Sequence, residues 1–461
     1  MLPLTVEDVC CGTRGRLLSG DGSLKIQGIS TDTRTLKPGE VFFALKGPRF
    51  DGHDFLEIAA ARGAAAAVIS RRPEGAAPPA LVLVPDTLQA LQSLAAWYRG
   101  RFNLPVIGVT GSSGKTTTKD LIAAVLGRFG PVLKTPGNFN NEIGLPLTLL
   151  QLDKGYRVAV LEMAMRAPGE IAALCRLARP DIGVITNIGA AHLGRLGSKE
   201  AIARAKGELL AALPRTGLAV LNADDAWCRR LALSSPARVI FYGFSPEAEV
   251  RVRDVAASAG RDSKFGLEVG GRLWEVALPM PGRHNVLNAA AALAVAWGLG
   301  LDLDEAIPGL KEWPAEDLRQ NFIAGPNGSL IFNDAYNANP DSMLAALRVL
   351  SELQGERRLA VLGDMLELGP EAARLHFEVG EAAAGLGLAY LITVGSLARE
   401  LASGARAGGM PAERIACFDD HREAAARLRE LLRPGDVVLV KGSRGMAMEK
   451  VLTALGLGEG N

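Results

Sequence analysis

The run Thr110-Gly-Ser-Ser-Gly-Lys-Thr-Thr117 constrains this chain more than any other feature, because it sits between a buried apolar run and a helical one. Residues 106–110 (Val-Ile-Gly-Val-Thr) read as a strand covered on both faces, and residues 119–127 read as the helix that follows. A strand that passes through glycines into a helix makes a phosphate cradle. Glycines let backbone N–H groups converge on phosphate oxygens, and the helix N-terminus adds a favourable dipole. Lys115 is placed to neutralise terminal phosphates, and the Thr116 hydroxyl to ligate Mg²⁺. The spacing is the short G-x-x-G-K-T form, since the position five before Gly114 is Val109. A Gly-Ser turn with a surface lysine would leave the flanking strand and helix without a purpose.

The same rhythm recurs. Residues 158–161, 182–186, 218–221, 359–363, 390–395 and 437–440 are short continuous apolar runs that end in turn-forming or polar residues. Open parallel sheets have this character where ligands bind. A chain of 461 residues exceeds what one core usually organises. Candidate boundaries fall at Asn103-Leu104-Pro105 and near Glu312-Trp-Pro-Ala315. The expected fold is α/β in three domains, spanning residues 1–103, 104–313 and 314–461. The middle one is built on a P-loop-type parallel sheet and the last is Rossmann-like. In the first, strand-like runs alternate with turns, 71–79 is a loop by its breakers, and 87–98 is helix-like.

Charge and cysteine usage exclude several classes. Fifty-one basic residues against 50 acidic ones give a net charge of +1, which argues against a surface that coats nucleic acid. The five cysteines (Cys10, Cys11, Cys175, Cys228, Cys417) are scattered without a C-x-x-C pair, which fits a reducing compartment rather than a disulfide framework or zinc knuckle. The N-terminus carries Glu7 and Asp8 where a signal peptide needs bases, and no apolar run reaches the roughly 20 residues of a membrane span. A cytoplasmic protein without a membrane span is expected.

Other residues gain meaning beside the phosphate loop. Glu162 follows one buried strand, and His192, in Thr186-Asn-Ile-Gly-Ala-Ala-His192, follows another, so both are candidates for the metal. Lys206 lies on an amphipathic helix opening near Ser198, where the default for a lysine is a solvated face. Asn285 and Asn288 stand three apart at a helix start, where amides could read an adenine edge or cap the helix. Asn333-Asp-Ala-Tyr-Asn-Ala-Asn-Pro-Asp341 is a polar stretch that is costly unless it binds or caps something. Lys441-Gly-Ser-Arg444 is a second cationic strand end.

The order of several motifs resembles that of the Mur ligases over essentially the whole chain. They are the phosphate loop, Gly137-Asn-Phe-Asn-Asn-Glu-Ile-Gly-Leu-Pro146, Leu161-Glu-Met163, Ala190-Ala-His192, Ala205-Lys-Gly207 and Gly282-Arg-His-Asn-Val-Leu-Asn288. Asp334-Ala-Tyr-Asn-Ala-Asn-Pro340, Gly363-Asp-Met-Leu-Glu-Leu-Gly369 and Thr31-Asp-Thr-Arg34 are similar to the branch that attaches a D-alanyl-D-alanine dipeptide. The resemblance implies an ATP- and Mg²⁺-dependent amide ligase acting on UDP-N-acetylmuramoyl-tripeptide and D-alanyl-D-alanine. It implies that Thr31, Asp32, Thr33, Arg34 and Lys46 contact the UDP-sugar. Gly111, Ser112, Ser113, Gly114, Lys115, Thr116 and Thr117 would hold the nucleotide phosphates. Thr116, Glu162 and His192 would serve Mg²⁺, and Lys206 would be carbamylated and help hold a second ion. Lys115, Glu162, His192 and Lys206 would together form the catalytic set. Asn285 and Asn288 would meet the adenine, with Arg319 and Asp334 approaching the nucleotide from the last domain. Asn337, Asn339, Lys441 and Arg444 would contact phosphate or dipeptide, and the enzyme would be a monomer. A sister ligase adding an amino acid, or a folate polyglutamylating enzyme, is the competing reading; Tyr336-Asn-Ala-Asn-Pro340 argues against both. A non-catalytic ATP-binding scaffold would require Lys115, Thr116, Glu162 and His192 to be degraded, and all four are present.

Overall fold

Short apolar runs become the inner strands of three sheets, in a computed structural model that describes residues 3–256, 261–313 and 318–457. Pro314 and Ala315, in the second expected boundary, lie outside the described residues.

The largest sheet has nine strands. Val132–Lys134, Val158–Glu162, Val106–Thr110, Ile182–Ile185, Leu218–Asn222, Arg238–Gly243 and Val250–Ala256 run parallel in that spatial order. Val106–Thr110 is fully buried between Val158–Glu162 and Ile182–Ile185. The chain leaves it in one direction and returns on its other side, so the crevice at its C-terminal end is a topological switch point. Register aligns Glu162 with Val109 and Ile185 with Thr110, which brings the phosphate loop, Glu162 and the 186–192 turn to one edge.

The parallel sheet expected from the apolar runs is present, and it carries an antiparallel extension at one edge. Ser263–Val269 and Arg272–Leu278 extend it as an antiparallel hairpin. Gly270 and Gly271 both take positive φ, 58° and 82°, as a two-residue hairpin turn requires.

The helix Lys115–Gly127 packs on Arg283–Gly298, whose residues 289–296 are all completely buried and mostly alanine. Small side chains all round let this helix sit deep between sheet and neighbour, and so carry Asn288 up to the phosphate loop. A six-stranded sheet follows, with Leu330–Asp334, Val437–Lys441, Arg358–Gly363, Tyr390–Val394 and Ile415–Phe418 parallel and Asn321–Ala324 antiparallel at its edge. Near the N-terminus, Gly28–Ser30, Glu40–Phe43, Ala66–Ile69 and Ala80–Leu83 run parallel, and Arg16–Ser19 closes that sheet antiparallel. The α/β reading in three layered units holds. Among the described residues, no helix is long and apolar enough to cross a membrane.

Candidate active site

The phosphate loop is held in shape by the neighbouring strand end. Ser112 N–H donates to the Asn187 carbonyl (2.9 Å), Ser113 N–H donates to Asn187 Oδ1 (3.0 Å), and the Thr186 hydroxyl donates to the Ser113 carbonyl (2.6 Å). Glycine is required at its two ends. A Cβ on Gly111 would lie 1.8 Å from Thr186 Oγ1, and one on Gly114, where φ is +78°, would lie 2.6 Å from Asn288 Oδ1. Gly114→Ala is therefore expected to weaken ADP binding by about tenfold or more, since forced strain of this kind costs about 1–3 kcal/mol. Calorimetric titration would read it.

Two lysines converge on one carbonyl. Lys115 Nζ donates to Gly111 O at 2.8 Å, and Lys206 Nζ donates to the same oxygen at 2.9 Å. Burial lowers the pKa of both, opposed at Lys115 by the Glu162 charge and reinforced by Arg319. Lys206 falls well below the usual lysine range, through burial first and then repulsion from Lys115. The solvated face expected for Lys206 is thus wrong. The residue is 1% exposed, because its helix, Lys199–Ala211, turns this position under the phosphate loop.

Glu162 ends its strand with the side chain buried. Its N–H donates to Thr135 Oγ1 (3.0 Å), and Oε1 accepts from Asn140 Nδ2 (2.7 Å). Oε2 is buried without a hydrogen-bond partner, an arrangement that a cation would resolve. His192 has left-handed backbone (φ 66°) and presents Nδ1 to Glu367 Oε2 at 2.9 Å. Burial, then Lys115 and Lys206, push its pKa down against the pull of Glu367. The neutral ring then donates from Nδ1 and keeps its lone pair on Nε2. The described residues contain no cluster of three or more His, Cys, Asp or Glu side chains suited to a metal. One carboxylate, one imidazole and the Thr116 hydroxyl on a shared cleft suit Mg²⁺, which retains waters and draws further oxygens from phosphates.

A cleft of about 470 Å³ joins these groups to the C-terminal sheet. Ser112, Ser113, Gly114, Lys115, Thr116, Thr117, Glu162, His192, Asn285, Asn288, Arg319, Asp334, Asn337, Asn339, Lys441 and Arg444 all line it. Gly111 and Lys206 lie beneath the loop. Asn339 caps the helix Pro340–Glu352 by accepting from Ser342 N–H (2.9 Å), and its Nδ2 reaches Ser113 Oγ at 3.0 Å. The polar stretch therefore both caps a helix and touches the phosphate loop. Lys441 pairs with Asp334 and donates to the Asn337 carbonyl at 2.9 Å. Arg319 stacks its guanidinium 3.7 Å from the Tyr336 ring centroid.

The helix cap considered for the two asparagines is not what they do. Gly282 occupies the cap of Arg283–Gly298 with no side-chain bond. Asn285 Nδ2 donates to Pro281 O and Gln320 Oε1, and Asn288 Nδ2 donates to Asn285 Oδ1 (3.3 Å). Adjacent His284 is driven down to about 4, mainly by burial, with Lys441 adding to the effect and Asp334 and Gln320 opposing it. Because its folded pKa lies below the ordinary 6.5, the unfolded chain takes up the proton first as pH falls. Stability is lost from about pH 6.5 down through pH 4, by about 3 kcal/mol at most. NMR titration of the five histidines should show one that stays neutral to near pH 4, absent in His284→Gln.

The N-terminal candidates are only partly gathered. A second cleft, about 750 Å³, is lined by Thr31 and Asp32 with Gln27, Ser30 and Lys37, and Asn138 lines both clefts. Thr33, Arg34 and Lys46 are not among its lining residues. Arg34 is held by its own neighbour, with Nε and Nη2 on the Asp32 carboxylate at 2.9 and 2.6 Å. Asn138, Asn140, Asn187, His284, Gln320, Tyr336 and Glu367 escaped notice as site residues. The clue for the first two was the Asn-rich turn 137–141, whose amides serve Glu162 and the junction of the clefts.

Models of three successive Mur ligase domains match the chain: the Mur ligase family catalytic domain over residues 25–99, the Mur ligase middle domain over 109–296, and the Mur ligase glutamate ligase domain over 318–444. The UDP-N-acetylmuramoyl-tripeptide--D-alanyl-D-alanine ligase of Escherichia coli (strain K12) is 39% identical, with 99% of each chain covered. A crystal structure of MurF from Acinetobacter baumannii superposes with a TM-score of 0.90 at 34% identity, covering 98% of each chain. MurF ligase from Thermotoga maritima in complex with ADP superposes with a TM-score of 0.82 at 33% identity, covering 93% of this chain and 97% of that one.

Proposed function

The chain belongs to the Mur ligase family, and we propose that it joins D-alanyl-D-alanine to UDP-N-acetylmuramoyl-tripeptide while converting ATP to ADP and phosphate. The observation that carries this reading is the adjacency of two clefts that share Asn138 in their linings. One cleft holds the phosphate loop, an unpartnered carboxylate oxygen and a cationic C-terminal rim; the other opens against the N-terminal sheet.

A carboxylate is a poor acyl donor in water, so amide formation needs activation. The tripeptide carboxylate attacks the γ-phosphorus, breaking its bond to ADP and forming an acyl phosphate. The dipeptide amine then attacks that carbonyl, phosphate leaves, and the amine proton is lost. Lys115 and the loop N–H groups offset charge on the transferring phosphoryl group. Thr116, Glu162 and His192 would hold Mg²⁺, which would supply Lewis-acid neutralisation of the phosphate charge. Asn285 and Asn288 lie where the adenine end would rest, and Arg319 and Asp334 close over it. Thr31 and Asp32, which line the second cleft, face the UDP-sugar, with Thr33, Arg34 and Lys46, which lie outside that lining, as further contacts implied by the family resemblance alone. Asn337, Asn339, Lys441 and Arg444 form the wall toward the dipeptide. In this reading residues 1–103 take the UDP-sugar, 104–313 the ATP, and 314–461 close the site against water.

Lys206 fits carbamylation because burial, and then the Lys115 charge, disfavour its ammonium form, and the neutral amine is the form that adds CO₂. Addition of CO₂ to the neutral amine forms the N–C bond, releases one proton and leaves a carboxylate that would be able to hold a second ion. A cytoplasmic monomer completes the proposal.

The test is an acceptor screen read by mass spectrometry. With UDP-N-acetylmuramoyl-tripeptide and ATP, D-alanyl-D-alanine should be incorporated and single amino acids should not. Incorporation of a single amino acid in preference to the dipeptide would move the enzyme to a sister activity.

A further inference from the structure

A strained two-part contact joins the central sheet to the C-terminal one beside the site. His192 and Glu367 are both non-glycine residues with left-handed backbone, φ 66° and 65°. Such backbone is disfavoured for a residue with a Cβ and persists only where surroundings enforce it. Here the surroundings are each other. Gly194 N–H donates to the Glu367 carbonyl (3.1 Å), and Gly194 and Gly369 touch so closely that a Cβ on either would lie about 2.4–2.5 Å from the other's backbone. Leu193 packs against the core of the C-terminal sheet. Within this contact the Glu367 carboxylate takes His192 Nδ1 on Oε2 (2.9 Å) and Arg195 Nη2 on Oε1 (3.4 Å).

We propose that Glu367 is a positioning residue that selects the tautomer and orientation of His192, so that the metal site is completed only when the C-terminal sheet docks. A partly exposed ion pair stabilises little by itself. Its consequence is geometric: Nδ1–H is fixed on the carboxylate, which leaves Nε2 as the ring's only lone pair. A carboxylate behind a metal-binding imidazole commonly governs metal affinity by ten- to a hundredfold. The inference rests on the reading of His192 as a metal ligand.

The experiment titrates Mn²⁺ into the full-length protein with saturating ADP, by EPR, in wild type and in Glu367→Ala, Glu367→Gln, Arg195→Ala and His192→Ala. Circular dichroism and ADP binding without metal check folding. Glu367→Ala should weaken Mn²⁺ binding by about tenfold or more while leaving metal-free ADP affinity unchanged. Glu367→Gln retains a carbonyl acceptor and should recover part of the loss, and it serves alone where the alanine variant does not fold. Arg195→Ala, which keeps the His192 bond, should stay near wild type. Loss in His192→Ala with wild-type binding in both Glu367 variants would overturn the positioning role alone. Wild-type binding in His192→Ala would overturn the metal reading and this inference with it. A loss in Arg195→Ala equal to that in Glu367→Ala would reduce Glu367 to a domain contact and also overturn it.

Discussion

Lys115→Ala is expected to abolish substrate-dependent ADP release, with a fall in turnover of about a thousandfold or more. The size follows from where the ammonium sits. Lys115 is anchored on the Gly111 carbonyl inside its own loop, under burial that lowers its pKa, with the Glu162 carboxylate opposing that shift. A charge in such a place is little screened by water, so it acts strongly on a phosphoryl group that gains charge in the transition state. The substitution removes the cation and leaves the loop's hydrogen bonds to Asn187 and Thr186 intact. Binding of ADP should therefore weaken far less than turnover falls. Stopped-time assays of ADP formation, alongside calorimetric ADP binding, measure the two separately. Turnover like that of wild type would remove the phosphate loop from the mechanism.

Lys206→Ala is expected to be nearly as damaging, by about a hundredfold or more, but repairable. The lysine is buried under the loop, shares the Gly111 carbonyl with Lys115, and is repelled by it. Two ammonium groups on one carbonyl are mutually unfavourable, whereas a carbamate beside Lys115 is attracted to it. Alanine leaves a space that a formate- or acetate-sized carboxylate can enter, and activity should return as that acid is added. Lys115→Ala should show no such rescue, which separates replacement of an anion from a general salt effect. Full activity of Lys206→Ala without additive would rule the carbamate out.

The phosphate loop was legible because its strand, glycines and helix are contiguous, so local chemistry needed no tertiary information. Glu162 and His192 could be placed at strand ends for the same reason, and register then set them on one edge. Lys206 could not be placed from periodicity. Its helix is amphipathic, and only the path of that helix under the loop distinguishes a buried lysine from a solvated one. Glu367 was hidden for another reason: its partner His192 is 175 residues away, and the contact exists only through docking of two sheets. The antiparallel hairpin was announced by Gly270-Gly271, a signal overshadowed by the parallel-sheet pattern before it. Of the N-terminal candidates, Thr31 and Asp32 reach a cleft, while Arg34 turns back on Asp32, a choice between solvent and neighbour that composition does not encode.

The most direct measurement is ADP release with each component withheld in turn: the UDP-linked tripeptide, D-alanyl-D-alanine and Mg²⁺. The account predicts release only when all three accompany ATP, with one dipeptide incorporated per ADP formed. Steady ADP release in the absence of either peptide substrate, or release indifferent to Mg²⁺, would contradict it.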